Sequence, residues 1–289
     1  MIDIAVILTC YNQEEYIGQA IESVLMQDTA ATFKLFIHDD ASTDSSQSII
    51  MEYKNKYRQQ IEVILQTENL MSKGFNTWLD TVFPNTDSTY IALLEGDDFW
   101  TSDNKLEAQY KAMEENDGID LCFHECLSLV GSVLKKPNFS YPQSMTIISP
   151  SQMIKKGGSY ARTASLFFRA SAINSGFVQR FRQAPVGDRG LQIFLTLDKG
   201  ALFVPGISAV YRIASRGSWT NVVYGPETFS HRVKMTTFYS YVCAISKPNC
   251  VDAFAISTRE NLKYMRSLLM KGKIYTCLLF MVTILKIYM

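Results

Sequence analysis

Two hydrophobic periodicities take turns along the first hundred residues. "IDIAVIL" (residues 2–8) is a nearly unbroken apolar run of strand length, which predicts a strand buried on both faces, as in a parallel sheet. In the next stretch Ile17, Ala20, Ile21, Val24 and Leu25 recur at helical spacing. Asn12, with Glu15 three residues on, reads as the cap of that helix. "KLFIH" (34–38), "IEVILQ" (61–66) and "YIALLE" (90–95) predict three more strands. Between them "DSSQSIIMEYKNKY" predicts a helix capped by Asp44, with Gln47 at its third position. "DNKLEAQYKAMEEN" (103–116) predicts another, with Leu106, Tyr110 and Met113 on one face. Strands alternating with helices in this way predict βαβ units, hence an α/β fold with a mainly parallel sheet. Past residue 117 the pattern loosens. "IDLCFHECLSLVG" and "TASLFFR" read as strands, "DRGLQIFLTLDKG" (188–200) as a helix ended by Gly200, and "LFVPGISAVYRI" (202–213) as a strand kinked at Pro205-Gly206.

Composition narrows the class. The chain has 289 residues, 47% hydrophobic and 19% charged, enough for a large core. Its 28 basic and 28 acidic residues cancel, so no global charge points to nucleic acid. The balance is uneven: residues 259–289 hold six basic residues and one acid, so that tail carries +5 and the remainder −5. The six cysteines sit among apolar neighbours without a CxxC pair and read as buried free thiols of a reducing compartment. Cys122, His124 and Cys126 alternate, but on a strand the two sulfurs stand roughly 13 Å apart at about 3.3 Å per residue, too far for one zinc. Met1-Ile2-Asp3 leads straight into strand-like sequence, with no signal peptide, which predicts a cytoplasmic start.

Candidate chemistry lies at the strand ends, where ligands bind in open α/β sheets. "TCYN" follows the first strand, "DDASTD" the second and "EGDD" the fourth. The first strand is followed by neither GxGxxG nor a Walker loop, so no glycine-rich turn cradles phosphates. Three carboxylates in four residues, Glu95, Asp97 and Asp98, wedged between an apolar strand and Phe99-Trp100, call for positive charge. A divalent cation, Mg²⁺ or Mn²⁺, bridging to substrate phosphates would supply it.

In "ILTCYNQEEYIGQAIESVLMQ", "IHDDASTDSS", "IALLEGDDFW", "GDRGLQIFLTLDKG" and "VYRIASRGSWT", the chain resembles a family 2 glycosyltransferase of GT-A fold over roughly residues 2–221. Within that family it resembles bacterial enzymes that build cell-surface polysaccharides. The resemblance implies a GT-A domain over 1–225, split into a nucleotide-binding half (1–117) and an acceptor-binding half (118–225), and a C-terminal helical extension over 226–289. It implies that Thr9 and Tyr11 line the base site, that Asp39 and Asp40, helped by Ser42, bind base and ribose, and that Lys73 lies near the base or phosphates. "EGDD" stands for the family's DxD motif: Asp97 contacts metal and diphosphate, Asp98 sugar or metal, and Glu95 stands where an Asp is common. Asp188, at the start of an apolar helix, stands for the acid that deprotonates the acceptor hydroxyl, although Gly187 replaces the first member of a frequent ED pair. As an N-cap it would need no other role. Arg212, Arg216 and Trp219 lie in a stretch that could fold over a sugar nucleotide or meet an acceptor phosphate.

The implied reaction is transfer, with inversion, from a nucleotide-sugar, most simply a UDP-sugar, to a saccharide or lipid-linked saccharide. A nucleotidyltransferase would want a glycine- and base-rich stretch after the first strand, which "TCYNQEEYI" lacks. A non-catalytic sugar-nucleotide-binding protein would have no need of Asp97 and Asp188. "IYTCLLFMVTIL" (274–285) is twelve uncharged residues, roughly 18 Å as a helix and short of the ~30 Å hydrocarbon core. With its flanking Lys and Arg and with Tyr264, Tyr275 and Tyr288, it predicts a peripheral membrane contact on the cytoplasmic face; packing on the chain's own core or on a partner is the other reading.

Overall fold

The computed structural model describes residues 1–213 and 228–288. Its chain order is β1 (Ile2–Cys10), α1 (Ile17–Leu25), β2 (Phe33–Asp39), α2 (Ser46–Lys56), β3 (Ile61–Leu65), β4 (Ser88–Glu95), β5 (Phe99–Trp100), α3 (Lys105–Glu115), β6 (Leu121–Val130), β7 (Val133–Lys135), β8 (Thr146–Ile148), α4 (Pro150–Lys156), β9 (Phe167–Arg169), α5 (Ser175–Phe181), α6 (Gly187–Thr196), β10 (Ala201–Ile213), α7 (Thr228–Ile245), α8 (Cys250–Met270) and α9 (Ile274–Tyr288). The sheet runs β3-β2-β1-β4-β9-β6-β10-β5. β1 pairs in parallel with both β2 and β4, and β2 with β3. β9 joins β4 and β6 antiparallel to each, so the sheet is mixed beyond β4.

Burial on both faces explains the apolar runs. Ile4, Val6 and Leu8 of β1 point into one core with Ile17, Ile21 and Val24 of α1, while Ala5 and Ile7 point into the other with Phe168, Leu191 and Phe194. The kink expected in β10 is real: its register with β6 shifts between Phe203 and Ile207, where Gly206 has φ 120°. Gly200 ends the turn after α6 with φ 78° and donates to Thr196 O.

Helix starts differ from the sequence expectation. Asn12 does not cap α1, which begins at Ile17. It is left-handed (φ 53°) and its Oδ1 accepts from the Thr43 N–H at 2.7 Å. Asp44 is not the cap residue of α2, and its Oδ2 accepts from Glu14 N while Glu14 Oε2 accepts from Ser45 N. The residues that propensity assigns to capping instead staple the loops after β1 and β2 together.

The C-terminal helices are part of the fold. α8 packs on α7 and on α4, where Lys155 pairs with Asp252 at 2.8 Å. Cys243 and Cys250 are joined as a disulfide, which corrects the free-thiol expectation for these two; the other four cysteines are free and buried. α9 seats Cys277, Phe280 and Ile284 on α7 and α8, with the Phe280 ring against Phe229 and Tyr264.

Candidate active site

The carboxyl ends of β1 and β4 open into a cavity of about 810 Å³. Thr9, Tyr11, Asp40, Glu95, Asp97 and Asp188 all line it, and the Asp188 charge acts on Glu95. Gly96 lets the turn after β4 lie close against β1: a Cβ there would stand 2.3 Å from Gln13 Oε1 and 3.2 Å from Thr9 O, so a larger residue would displace the Gln13 side chain and shift the turn.

The strand-end loops hold themselves in place. Asp39 is fully buried and spent on its own turn: Oδ1 accepts from Ser42 N and Gln47 Nε2, and Oδ2 from the Ser42 hydroxyl. Ala41 carries the strained left-handed conformation (φ 64°) that this turn requires. Asp40 faces the cavity and accepts from the Leu70 and Met71 N–H groups, which fixes the following loop. Asp39 and Ser42 therefore support the expected base site rather than line it. Lys73 also falls outside the cavity lining, with its Nζ 2.5 Å from Glu68.

Protein cations meet part of the demand for positive charge at Glu95-Gly96-Asp97-Asp98. The Arg212 N–H donates to Asp98 Oδ1 at 2.8 Å, and its guanidinium donates to the Asp97 carbonyl and to Gln19 while lying between the Tyr16 and Phe99 rings. Arg212 thus clamps the acidic turn. Arg216 and Trp219 lie outside the described residues. Arg162 stands over the Tyr211 ring at 4.2 Å and lines the cavity, its charge acting on Glu95, Asp98 and Asp188 together. Sequence reasoning missed Arg162. It sits in "SYARTAS" with no motif around it, and only the pairing of β9 with β4 carries it to the site.

Two arginines do not settle the charge. Burial first, and Asp97 next, push Glu95 up to about 8 and raise Asp98 well above the carboxylate range. Asp98 Oδ2 is buried with no hydrogen-bond partner among the described residues. This environment fits a divalent cation. Among the described residues no three acidic, His or Cys side chains are grouped to hold one, so the protein would offer a cation one or two carboxylates. That is the usual arrangement where substrate phosphates and water complete the shell. Asp98 is wholly buried and does not line the cavity, which leaves Asp97 and Glu95 as the cavity-facing pair.

Asp188 is the second residue of α6 and not its N-cap. Its Oδ1 accepts from Arg189 N at 2.7 Å, and it lines the cavity. Burial raises its pKa, opposed by the hydrogen bond from Arg189 and by the charges of Arg189 and Arg162. Arg189 does not face solvent. It is buried and donates to Met153 O at 3.0 Å, to Ile154 O at 2.5 Å and to Tyr239 Oη at 3.2 Å, which locks α6 to the end of α4 and to α7.

The family model described as glycosyl transferase family 2 matches residues 5–169, more than half of the chain, and the chain belongs to that family. The chain is 33% identical over 112 residues to the putative teichuronic acid biosynthesis glycosyltransferase TuaG of Bacillus subtilis, which is 39% of this chain and 42% of that protein. It is 33% identical over 113 residues to the UDP-Glc:alpha-D-GlcNAc-diphosphoundecaprenol beta-1,3-glucosyltransferase WfgD of Escherichia coli, again 39% and 42% of the two chains. An uncharacterised Mycobacterium bovis protein is 37% identical over 120 residues, 42% of this chain and 34% of its own length. The match thus spans less than half of each of these curated relatives. Among solved structures, S. aureus TarS 1–349 in complex with UDP-GlcNAc superposes with a TM-score of 0.60 at 14% identity, over 82% of this chain and 65% of that one. The mannosyltransferase PcManGT of Pyrobaculum calidifontis, in complex with GDP-Man and Mn²⁺, superposes with 0.54 at 12% identity, over 98% and 88%. These two likenesses establish the fold.

Proposed function

We propose that the chain is an inverting glycosyltransferase that moves a sugar from a UDP-sugar to a saccharide acceptor, lipid-linked, in cell-surface polysaccharide synthesis. One observation carries this reading: the acidic pair Glu95/Asp97 and the lone acid Asp188 line one cavity at the carboxyl ends of β1 and β4. On this reading the acidic pair serves the donor and Asp188 the acceptor within one space.

Tyr11, 40% exposed, offers a ring face to the base, with Thr9 and Asp40 beside it. Asp97, with Glu95, would hold Mg²⁺ or Mn²⁺, which when bound supplies positive charge against a leaving diphosphate. Arg162 adds a fixed cation on the same side. Asp188 accepts the proton of the attacking acceptor hydroxyl, and its raised pKa makes it a stronger base than a surface carboxylate. A single displacement by that hydroxyl, opposite the leaving group, inverts the anomeric carbon. The names of TuaG and WfgD support the pathway and the lipid-linked acceptor, and TarS with UDP-GlcNAc supports the donor class.

The outer face of α9 supports a peripheral membrane contact. Tyr275, Leu278, Val282 and Leu285 are each at least half exposed, with Lys271 and Lys273 just before the helix. Among the described residues no helix is long and apolar enough to cross a membrane.

A panel of UDP- and GDP-sugars tests the reading by thermal shift with and without Mn²⁺. A specific donor at one hundred times its Kd adds about 2.7 kcal/mol to the unfolding free energy by mass action and so raises the melting temperature. If none does so in the presence of Mn²⁺, the donor reading fails.

A further inference from the structure

The cavity is polarised. Its β4 end is acidic, but the wall built by α7 and α8 with the end of α4 is basic. Lys156, Arg232 and Arg259 line that wall, against Glu260 as its one carboxylate among the described residues. Glu260 is shared three ways, 3.5 Å from Arg232, 3.4 Å from Arg259 and 3.1 Å from Lys263. The Arg contacts are longer than the 2.7–2.9 Å of a strong charge-assisted bond. Arg232 Nε is buried and has no acceptor among the described residues. His231, next in chain and also on the wall, is held below its ordinary pKa by burial and then by the charges of Arg232 and Lys234, as expected where positive charge is in excess.

We propose that this wall is a phosphoryl-binding subsite for the acceptor, formed by Lys156, Arg232 and Arg259. The inference rests on the glycosyltransferase reading, which places the acceptor hydroxyl at Asp188. Arg189, the residue after Asp188, reaches Tyr239 of α7, and Arg232 lies seven residues earlier on the same helix. Seven residues are roughly 10 Å along a helix axis, and Met235 between them lines the same cavity. An acceptor sugar with its hydroxyl at Asp188 then directs its other end along α7 to the three cations. A neutral acceptor would leave that charge unanswered. A phosphate or diphosphate at the far end of the sugar answers it, and guanidinium groups bind such anions through paired N–H donors. The donor's diphosphate belongs at the other end, at the acidic pair, so the two phosphoryl groups are kept apart by the reacting centre.

The experiment uses the full chain and inorganic pyrophosphate, titrated calorimetrically in chelator so that the acidic end repels the probe. We expect binding in the wild type and a weakening of at least tenfold in Arg232→Gln/Arg259→Gln. Arg232 also ties α7 to α8, so Arg259→Gln and Lys156→Gln are measured singly, at unchanged melting temperature, and each weakens binding. UDP binding in the presence of Mn²⁺ should be the same in all variants. Polyprenyl diphosphate in detergent micelles forms a second arm. Tighter binding than pyrophosphate, still dependent on Arg259, identifies a lipid-borne acceptor; equal binding identifies a soluble sugar phosphate. No pyrophosphate binding, or binding unmoved by all three variants, overturns the subsite. Failure of Mn²⁺-dependent nucleotide binding with pyrophosphate binding intact would instead overturn the donor reading and leave the phosphoryl site supported.

Discussion

Asp188 and Asp97 are both acids on one cavity, and their surroundings give them different work. Asp188 keeps one oxygen on the Arg189 N–H and lies where burial raises its pKa. Asp188→Asn preserves shape and that hydrogen bond but removes the proton acceptor, so transfer should fall by about 10²–10⁴ with the melting temperature unchanged. Steady-state rates decide it: an Asn variant with more than half the wild-type rate makes Asp188 a first-turn helix residue and nothing more. Asp97→Ala should abolish transfer and the Mn²⁺-dependent part of nucleotide binding, since it removes one of the two cavity-facing carboxylates of the acidic turn. Transfer by the wild type that is indifferent to excess chelator would refute the metal role. At this scale the sequence was informative about identity and less so about duty. Asp39, Ser42 and Asp98 read as ligand contacts, yet Asp39 and Ser42 are consumed in holding their turn and one Asp98 oxygen in holding Arg212, because a strand-end turn with buried N–H groups must satisfy them first. Arg162 and Arg212 could be seen as arginines in the sequence, but their convergence on the acidic turn could not.

Helices and strands were legible where one periodicity ran long enough. β1, β2, β4 and α3 fall within two residues of their expected bounds, since core burial and pattern agree there. "TASLFFR" shortened to Phe167–Arg169, because only those residues pair with β4 and β6. The C-terminal helix packs on the chain's own core, as one of its two readings had it. Its inner face packs Phe280 on α7 and α8, and its outer face leaves Leu278, Val282 and Leu285 about half exposed. Leu278→Ser/Val282→Ser/Leu285→Ser should therefore keep the fold and the melting temperature but lower co-sedimentation with anionic vesicles at low salt, where attraction is least screened. Wild-type protein that ignores such vesicles would leave α9 a packing element alone.

Across the whole molecule, the acidic turn stores a pH-dependent cost. Glu95 in the folded chain holds its proton up to about 8, whereas its ordinary value is 4.5. Between those limits the folded state binds a proton that the unfolded state has released, so stability is fully present below about 4.5 and falls as pH rises towards 8. In chelator the melting temperature should decline over this window, Glu95→Gln should flatten the decline, and Mn²⁺ should restore stability at the upper end. A metal-free melting temperature that stays level or climbs from pH 5 to 8 would contradict this.

The sequence by itself determined the α/β class, the order of the first strands and helices, and which loops carry the acids, because apolar periodicity and local composition are properties of consecutive residues. The mixed half of the sheet depends on β9 threading between β4 and β6, a long-range pairing that three strand residues cannot announce. The same threading carries Arg162 to the acids, and Arg189 ties α6 to α7 across fifty residues. The wall of Lys156, Arg232 and Arg259 is drawn from segments far apart in the chain, so only the tertiary structure could decide that they face one space with Asp188.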